Sequence, residues 1–310
     1  MRAPGERWRD VYAERIGAVW TEGRRRALTG GRQMQVTPWD APFLLRALGL
    51  LDAEGELVRG RERKLRQVGH LLGFLRPALE ELDGPVVRIV DAGCGRSTLG
   101  ALVCWWLARQ GREPRLLGID RNARVLEGCR ERAELAGDGV QRFAEASLED
   151  VDLGALWTEA HGEEARVDVL LALHACDTAT DEALALAVNR GAQVIVAAPC
   201  CHKQLRPQLA APAALGPVLR HGILKTREAD LVTDALRAAL LEAVGFEAKV
   251  FEFISTEHTD RNLMIAATRR AAPRPGAEGE ARALAAFYGI ERQELADRLG
   301  VVLHPQRGAP

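Results

Sequence analysis

The sequence predicts an α/β fold: a doubly wound, mostly parallel seven-stranded sheet closed by an antiparallel hairpin and preceded by a helical subdomain. Three observations predict it. From Val86 onward, short apolar runs alternate with longer amphipathic segments, the pattern of strands buried on both faces and joined by crossover helices. The first run ends in Asp91-Ala92-Gly93-Cys94-Gly95, whose glycines suit a tight strand-to-helix bend. The last two runs are separated by a connection too short for a crossover, so they pair antiparallel.

The elements follow in order. Residues 7–83 carry helical periodicity broken at Gly30-Gly31, at Pro38 and Pro42, and around Gly55 to Gly60, which predicts a helical N-terminal unit over residues 1–83. Strands are expected at 86–91, 115–120, 140–145, 167–173, 192–198, 246–254 and 262–268. Helices are expected near 98–110, 122–136, 149–161, 179–190 and 227–244. After Pro273-Arg274-Pro275 a helical pattern resumes from Glu278 to Gly300. The organisation read from this is 1–83, 84–270 and a docked appendage over 271–310.

Composition excludes several classes. With 310 residues, 47% hydrophobic and 27% charged, and with 42 Lys+Arg against 43 Asp+Glu, the chain is neither disordered nor built to coat a polyanion. No run approaches the roughly 20 apolar residues of a membrane span, and the start has no apolar signal core. A cytoplasmic location with all six cysteines reduced is expected. The six tryptophans are scattered and form no base-stacking platform.

The glycine turn has two familiar alternatives, and neither fits. Gly95 and Gly100 have the spacing of a P-loop, but Ala101 and Leu102 follow where Lys and Ser or Thr are required. A dinucleotide fingerprint needs glycine at 98, and Thr98 stands there. The second strand ends in Asp120, and a carboxylate at that position accepts hydrogen bonds from both hydroxyls of a ribose. The ligand therefore carries a ribose without requiring phosphates.

At these residues the chain resembles the class I S-adenosylmethionine-dependent methyltransferases, whose fold is Rossmann-like. The resemblance implies S-adenosylmethionine as cofactor, with Asp91, Gly93, Cys94 and Gly95 at its methionine portion, Asp120 and Arg121 at the ribose, and Ser147 and Leu148 at the adenine. Strand four ends in Leu173-His174-Ala175-Cys176-Asp177 and strand five in Pro199-Cys200-Cys201-His202-Lys203. These motifs resemble a branch of methyltransferase-like proteins that includes a tRNA ribose methyltransferase family. The resemblance extends to the basic helix around Lys64, Arg66 and His70, where Lys64 and His70 are candidates to close over the methionine end.

In an open α/β sheet the ligand crevice lies beyond the carboxyl ends of the strands. His174, Cys176, Asp177, Cys200, Cys201 and His202 are accordingly the candidate catalytic residues, and His174 also borders the cofactor. A base or orienting role for His174 or Asp177 ranks first, and cysteines as apolar pocket lining second. A metal ranks third, because the usual C-x-x-C spacing is absent and no metal is expected. A covalent thiolate ranks last.

Amino methylation of a base is disfavoured, since the Asn or Asp, Pro-Pro and aromatic sequence typical of those enzymes is missing from strand four. Arg206, Arg220, Lys225 and Arg227 near the mouth, and the turn Glu257-His258-Thr259-Asp260-Arg261-Asn262, are secondary candidates for meeting the substrate. The expected function is methyl transfer, with RNA, and tRNA first, as acceptor. Small-molecule or protein methylation and a non-catalytic cofactor-binding scaffold are the alternatives.

Overall fold

The computed structural model describes residues 4–137, 139–149, 151–173, 175–210, 212–252 and 263–304. Four helices come first: α1 (Pro4–Val19), α2 (Glu22–Thr29), α3 (Pro42–Ala47) and α4 (Glu62–Glu80). Then strand and helix alternate as β1 (Val86–Ala92), α5 (Thr98–Arg109), β2 (Glu113–Asp120), α6 (Ala123–Ala136), β3 (Gln141–Glu145) and α7 (Leu153–His161). β4 (Val169–Ala172), α8 (Thr178–Asn189), β5 (Val194–Ala197), the short α9 (Gly216–Leu219) and α10 (Gly222–Ala243) follow. The chain closes with β6 (Phe246–Glu252), β7 (Leu263–Arg269), α11 (Ala277–Phe287) and α12 (Glu294–Leu299).

All seven expected strands form one sheet in the order β3-β2-β1-β4-β5-β7-β6. β1 to β5 run parallel, and β7 pairs antiparallel with both β5 and β6. β4 and β5 are buried at every position, which is why their sequences read as unbroken apolar runs. The order reverses at β1 and β4, which leave the sheet in opposite directions, and a ligand crevice is expected beyond that switch.

Each face of the sheet carries its own apolar cluster. On one face Leu45, Leu65 and Leu72 from the N-terminal helices and Leu50 from the turn after α3 pack with Ile89, Leu116, Val169 and Val196. On the other, Leu184, Leu236 and Leu240 pack with Leu170, Ile195 and the tail residues Ala281, Tyr288 and Leu295. Burying such a Leu, Ile or Val contributes about 1.5–3 kcal/mol.

Three boundaries differ from expectation. α10 begins five residues before the expected 227, at Gly222, and Thr226 Oγ1 donates to Gly222 O within its first turn. The tail is two helices instead of one, because Gly289 takes a left-handed φ of 64° and Gln293 caps α12 by accepting from Ala296 N. α7 starts at Leu153, where the Asp152 side chain accepts from Ala155 N. The turn Glu257–Asn262 lies outside the described residues. Among the described residues no helix is long and apolar enough to cross a membrane.

Candidate active site

The bend after β1 exists because Gly93 and Gly95 adopt left-handed φ values of 64° and 50°, a region open to glycine and costly to other residues. Cys94 N anchors the bend by donating to Ile119 O at 2.9 Å. Behind it, Asp91 is 3% exposed and accepts a 2.7 Å bond from Ser97 Oγ. Burial pushes the Asp91 carboxyl up to about 7, against the opposing effect of the Ser97 hydroxyl. Gly100 is a residue whose role the sequence did not reveal. A Cβ there would lie 2.5 Å from Ser97 Oγ and 2.6 Å from Leu116 Cδ1, so its bare backbone is what lets α5 start against the sheet.

Asp120 joins loop and crevice. One carboxylate oxygen accepts from Gly95 N at 2.9 Å and the other from Asn122 N at 3.0 Å. The same residue lines a cavity of about 180 Å³ with Gly93, Arg121, Ser147, Leu148 and Cys176. Ile119, Ala146, Ala175, Ala179 and Glu182 complete that lining, and the last two come from α8, whose contribution no local motif marks. Burial raises the Glu182 carboxyl, opposed by Arg298, whose guanidinium stands 3.6 Å away.

Two residues expected at the cofactor stand outside this cavity's lining. The Cys94 thiol turns away from the cavity, 1% exposed among Leu126, Cys129 and Phe143, and its hydrogen bond with Cys129 and its burial both push it up. It contributes backbone alone. Asp91 likewise shapes the loop from behind and is absent from the cavity lining.

Beyond β4 and β5 the structure brings three of the six candidate catalytic residues together. Cys176 Sγ and Cys200 Sγ are 2.9 Å apart, Cys200 Sγ and Cys201 Sγ are 3.9 Å apart, and the three sulfurs all lie within 4.8 Å of one another. Burial first, then Cys176, pushes the Cys200 thiol up to about 12. Asp177 takes a positive φ of 56°, and its Oδ1 accepts from Lys203 N at 2.8 Å and Gln204 N at 3.2 Å. It thus ties the loop after β4 to the loop after β5. His174 lies outside the described residues.

His202 is not brought to the cysteines, contrary to expectation. It is 5% exposed, with Nε2 2.8 Å from Asp234 Oδ1 and Nδ1 3.0 Å from Asp230 Oδ1. Residues 200–202 lie outside any strand and do not alternate as one: both thiols gather beside Cys176, and the imidazole faces α10. Arg206, Arg220 and Arg227 stay on the surface.

A second, larger cavity of about 980 Å³ lies between α2 and α4. Arg32, Gln35, Arg66, His70 and Phe74 line it, so His70 sits here and not at the cofactor cavity. Phe74, 46% exposed, stacks on Phe251 at 4.5 Å, and His70 meets Phe74 edge-on at 4.9 Å. Phe251 pairs with Met264, one step beyond the Ile265–Ala197 pair. This places Phe251 at the carboxyl edge of the sheet, about 10 Å from β5 across two strand spacings.

The residues around the smaller cavity fit an adenosyl cofactor. Asp120 offers acceptors for a ribose, Gly93 offers backbone without a side chain, and Leu148 and Ala179 offer apolar contact for a flat base. At about 180 Å³ the cavity is below the 300–1,000 Å³ of whole-ligand sites, so it has room for only part of such a cofactor.

The family model described as "Methyltransferase domain" matches residues 63–208. A search of the curated proteins returns no match. Among solved structures, a putative O-methyltransferase from Klebsiella pneumoniae is 17% identical with a TM-score of 0.40, over 83% of this chain and 100% of that one. An rRNA methylase from Streptococcus thermophilus is 12% identical with a TM-score of 0.40, over 66% and 97%. A putative methyltransferase from Streptococcus mutans, solved in complex with SAH, is 9% identical with a TM-score of 0.40, over 64% and 97%. The matched segment runs from α4 through the first five strands, so this part of the chain resembles a methyltransferase domain.

Proposed function

We propose that the chain is an S-adenosylmethionine-dependent methyltransferase whose acceptor is RNA, with tRNA the leading class. The observation that carries this reading is the arginine-lined cavity beside the exposed Phe74–Phe251 stack. Aromatic faces hold unstacked bases, and guanidinium groups such as those of Arg32 and Arg66 bind phosphate oxygens. With a formal net charge of −1, the attraction is local and does not come from the whole surface.

When bound, S-adenosylmethionine supplies a methyl group on a sulfonium sulfur that a nucleophile displaces. This chain's residues hold and orient. Asp120 would accept from the ribose hydroxyls, Leu148 and Ala179 would flank the base, and Glu182 would accept from an amino group. Asp177, committed to two loop amides, fixes the crevice, and His174 is the residue assigned to take the acceptor's proton. Positioning accounts for most of the rate enhancement in such a displacement.

The test is transfer of labelled methyl from S-adenosylmethionine to fractionated cellular RNA, protein and metabolites. Label should appear in nuclease-sensitive tRNA. Phe74→Ala should lower kcat/KM for that RNA by roughly tenfold or more, given the 1–3 kcal/mol of one base–aromatic stack, without altering cofactor binding. Label confined to protein or metabolites would remove the RNA acceptor and leave the methyltransferase. Tight cofactor binding with no labelled fraction would favour the scaffold.

A further inference from the structure

We infer that Cys176, Cys200 and Cys201 form a three-thiolate site for a soft divalent cation, zinc by chemical type, with a fourth position open to solvent or to an acceptor atom. The sequence argued against this, because the usual C-x-x-C spacing is absent. The fold removes the objection. β4 and β5 are parallel neighbours in register from Val169↔Val194 to Ala172↔Ala197, so the loops leaving them emerge side by side. Cys200 and Cys201 then present both sulfurs on one side, 3.9 Å apart, and Cys176 approaches from the neighbouring loop.

Distances agree with the chemistry. Zinc–sulfur bonds of about 2.3 Å in a tetrahedron put ligand sulfurs about 3.8 Å apart. The separations here are 2.9 Å and 3.9 Å, with all three sulfurs inside 4.8 Å, so small side-chain rotations suffice. The loops are also held before any ion arrives, because Asp177 on the first binds Lys203 N and Gln204 N on the second. Three thiolates with one vacant position is the ligand count of open zinc sites, and thiolates select zinc over hard oxygen-seeking cations. Cys176 is exposed and also lines the cofactor cavity, so the vacant position borders the reacting region. Loading exchanges each thiol proton for a metal–sulfur bond, releasing three protons to solvent with no change of oxidation state.

The experiment is a cobalt titration of the reduced, metal-free full chain. Its six cysteines are counted as reduced thiols beforehand. One equivalent of Co²⁺ should give a thiolate-to-cobalt charge-transfer band that one equivalent of Zn²⁺ abolishes. Cys176→Ser, Cys200→Ser and Cys201→Ser should each weaken binding roughly tenfold or more. Cys104→Ser, altering a buried cysteine of α5, should keep the band, and circular dichroism checks the fold of each variant. A wild-type chain that gives no such band, or a band that survives in all three loop variants, overturns the site. So does recovery of Cys176 and Cys200 as a disulfide under reducing conditions. Calorimetry with S-adenosylmethionine on the same samples separates failure here from failure of the cofactor assignment.

Discussion

Asp91 and Asp120 stand at the ends of neighbouring strands, yet their surroundings give them different tasks. Asp91 is enclosed and holds its proton to about pH 7, whereas an unfolded aspartate releases it near 3.8. The native state therefore binds the extra proton between those values. Its contribution to stability is full below about pH 4, declines as pH rises, and is gone above about pH 7. Asp91→Asn keeps an acceptor for Ser97 and removes the titration. The stability of the wild type relative to this variant should fall by up to about 1.4 kcal/mol per pH unit across that window in urea melts. Asp120 acts outward. Asp120→Asn keeps one oxygen for the loop and loses charge at the ribose, so cofactor Kd should rise by roughly 10- to 100-fold in calorimetry, the equivalent of 1.5–3 kcal/mol.

At the scale of elements, the crevice depends on two loops that emerge from adjacent strands and are joined through Asp177. That residue is held at a φ of 56°, where a non-glycine side chain costs on the order of 1–3 kcal/mol, and it is retained because its carboxylate accepts two amides of the facing loop. Asp177→Ala keeps the strain and loses both bonds, so stability should drop by about 2–3 kcal/mol. Asp177→Gly loses the same bonds and relaxes the backbone, and should recover about 1 kcal/mol of that in the same denaturation assay.

The strands were legible in the sequence because burial on both faces leaves uninterrupted Val, Ile and Leu, and the hairpin because a short connection admits one pairing direction. The glycine bend and Asp120 were legible because backbone freedom and a strand-end carboxylate are local features. The partners that complete them were not. Glu182 and Ala179 reach the cavity only through the rotation of α8, Cys129 meets Cys94 through the packing of α6, and the turn of His202 toward α10 depends on a helix 30 residues further along.

Across the whole molecule, the least expected feature is a buried polar network between the sheet, α8, α10 and the tail. Arg237, 1% exposed, binds both oxygens of Asp181 at 2.8 and 2.7 Å and also reaches Asp234 and the carbonyl of Asp177. Gln293 from the tail donates to Asp181 at 2.8 Å. Nothing local in the sequence reveals that both ends of such a pair are enclosed. Removing one member strands the others, so Arg237→Met should cost about 3–5 kcal/mol by chemical denaturation. Arg237→Met combined with Asp181→Leu and Asp234→Leu should recover part of that loss.

The tail also reaches the thiol-bearing loop. Gln204 accepts from Glu294 N, Gln208 accepts from Glu291 N and Arg292 N and donates to Arg292 O, and Ala210 N donates to Tyr288 O. The segment following β5 is thus splinted along its length by residues 78 to 90 positions later. Opening that splint exposes both partners at once, so their amides should exchange with deuterium as a single cooperative unit. A ligand that tightens one end should then slow the clock at the other.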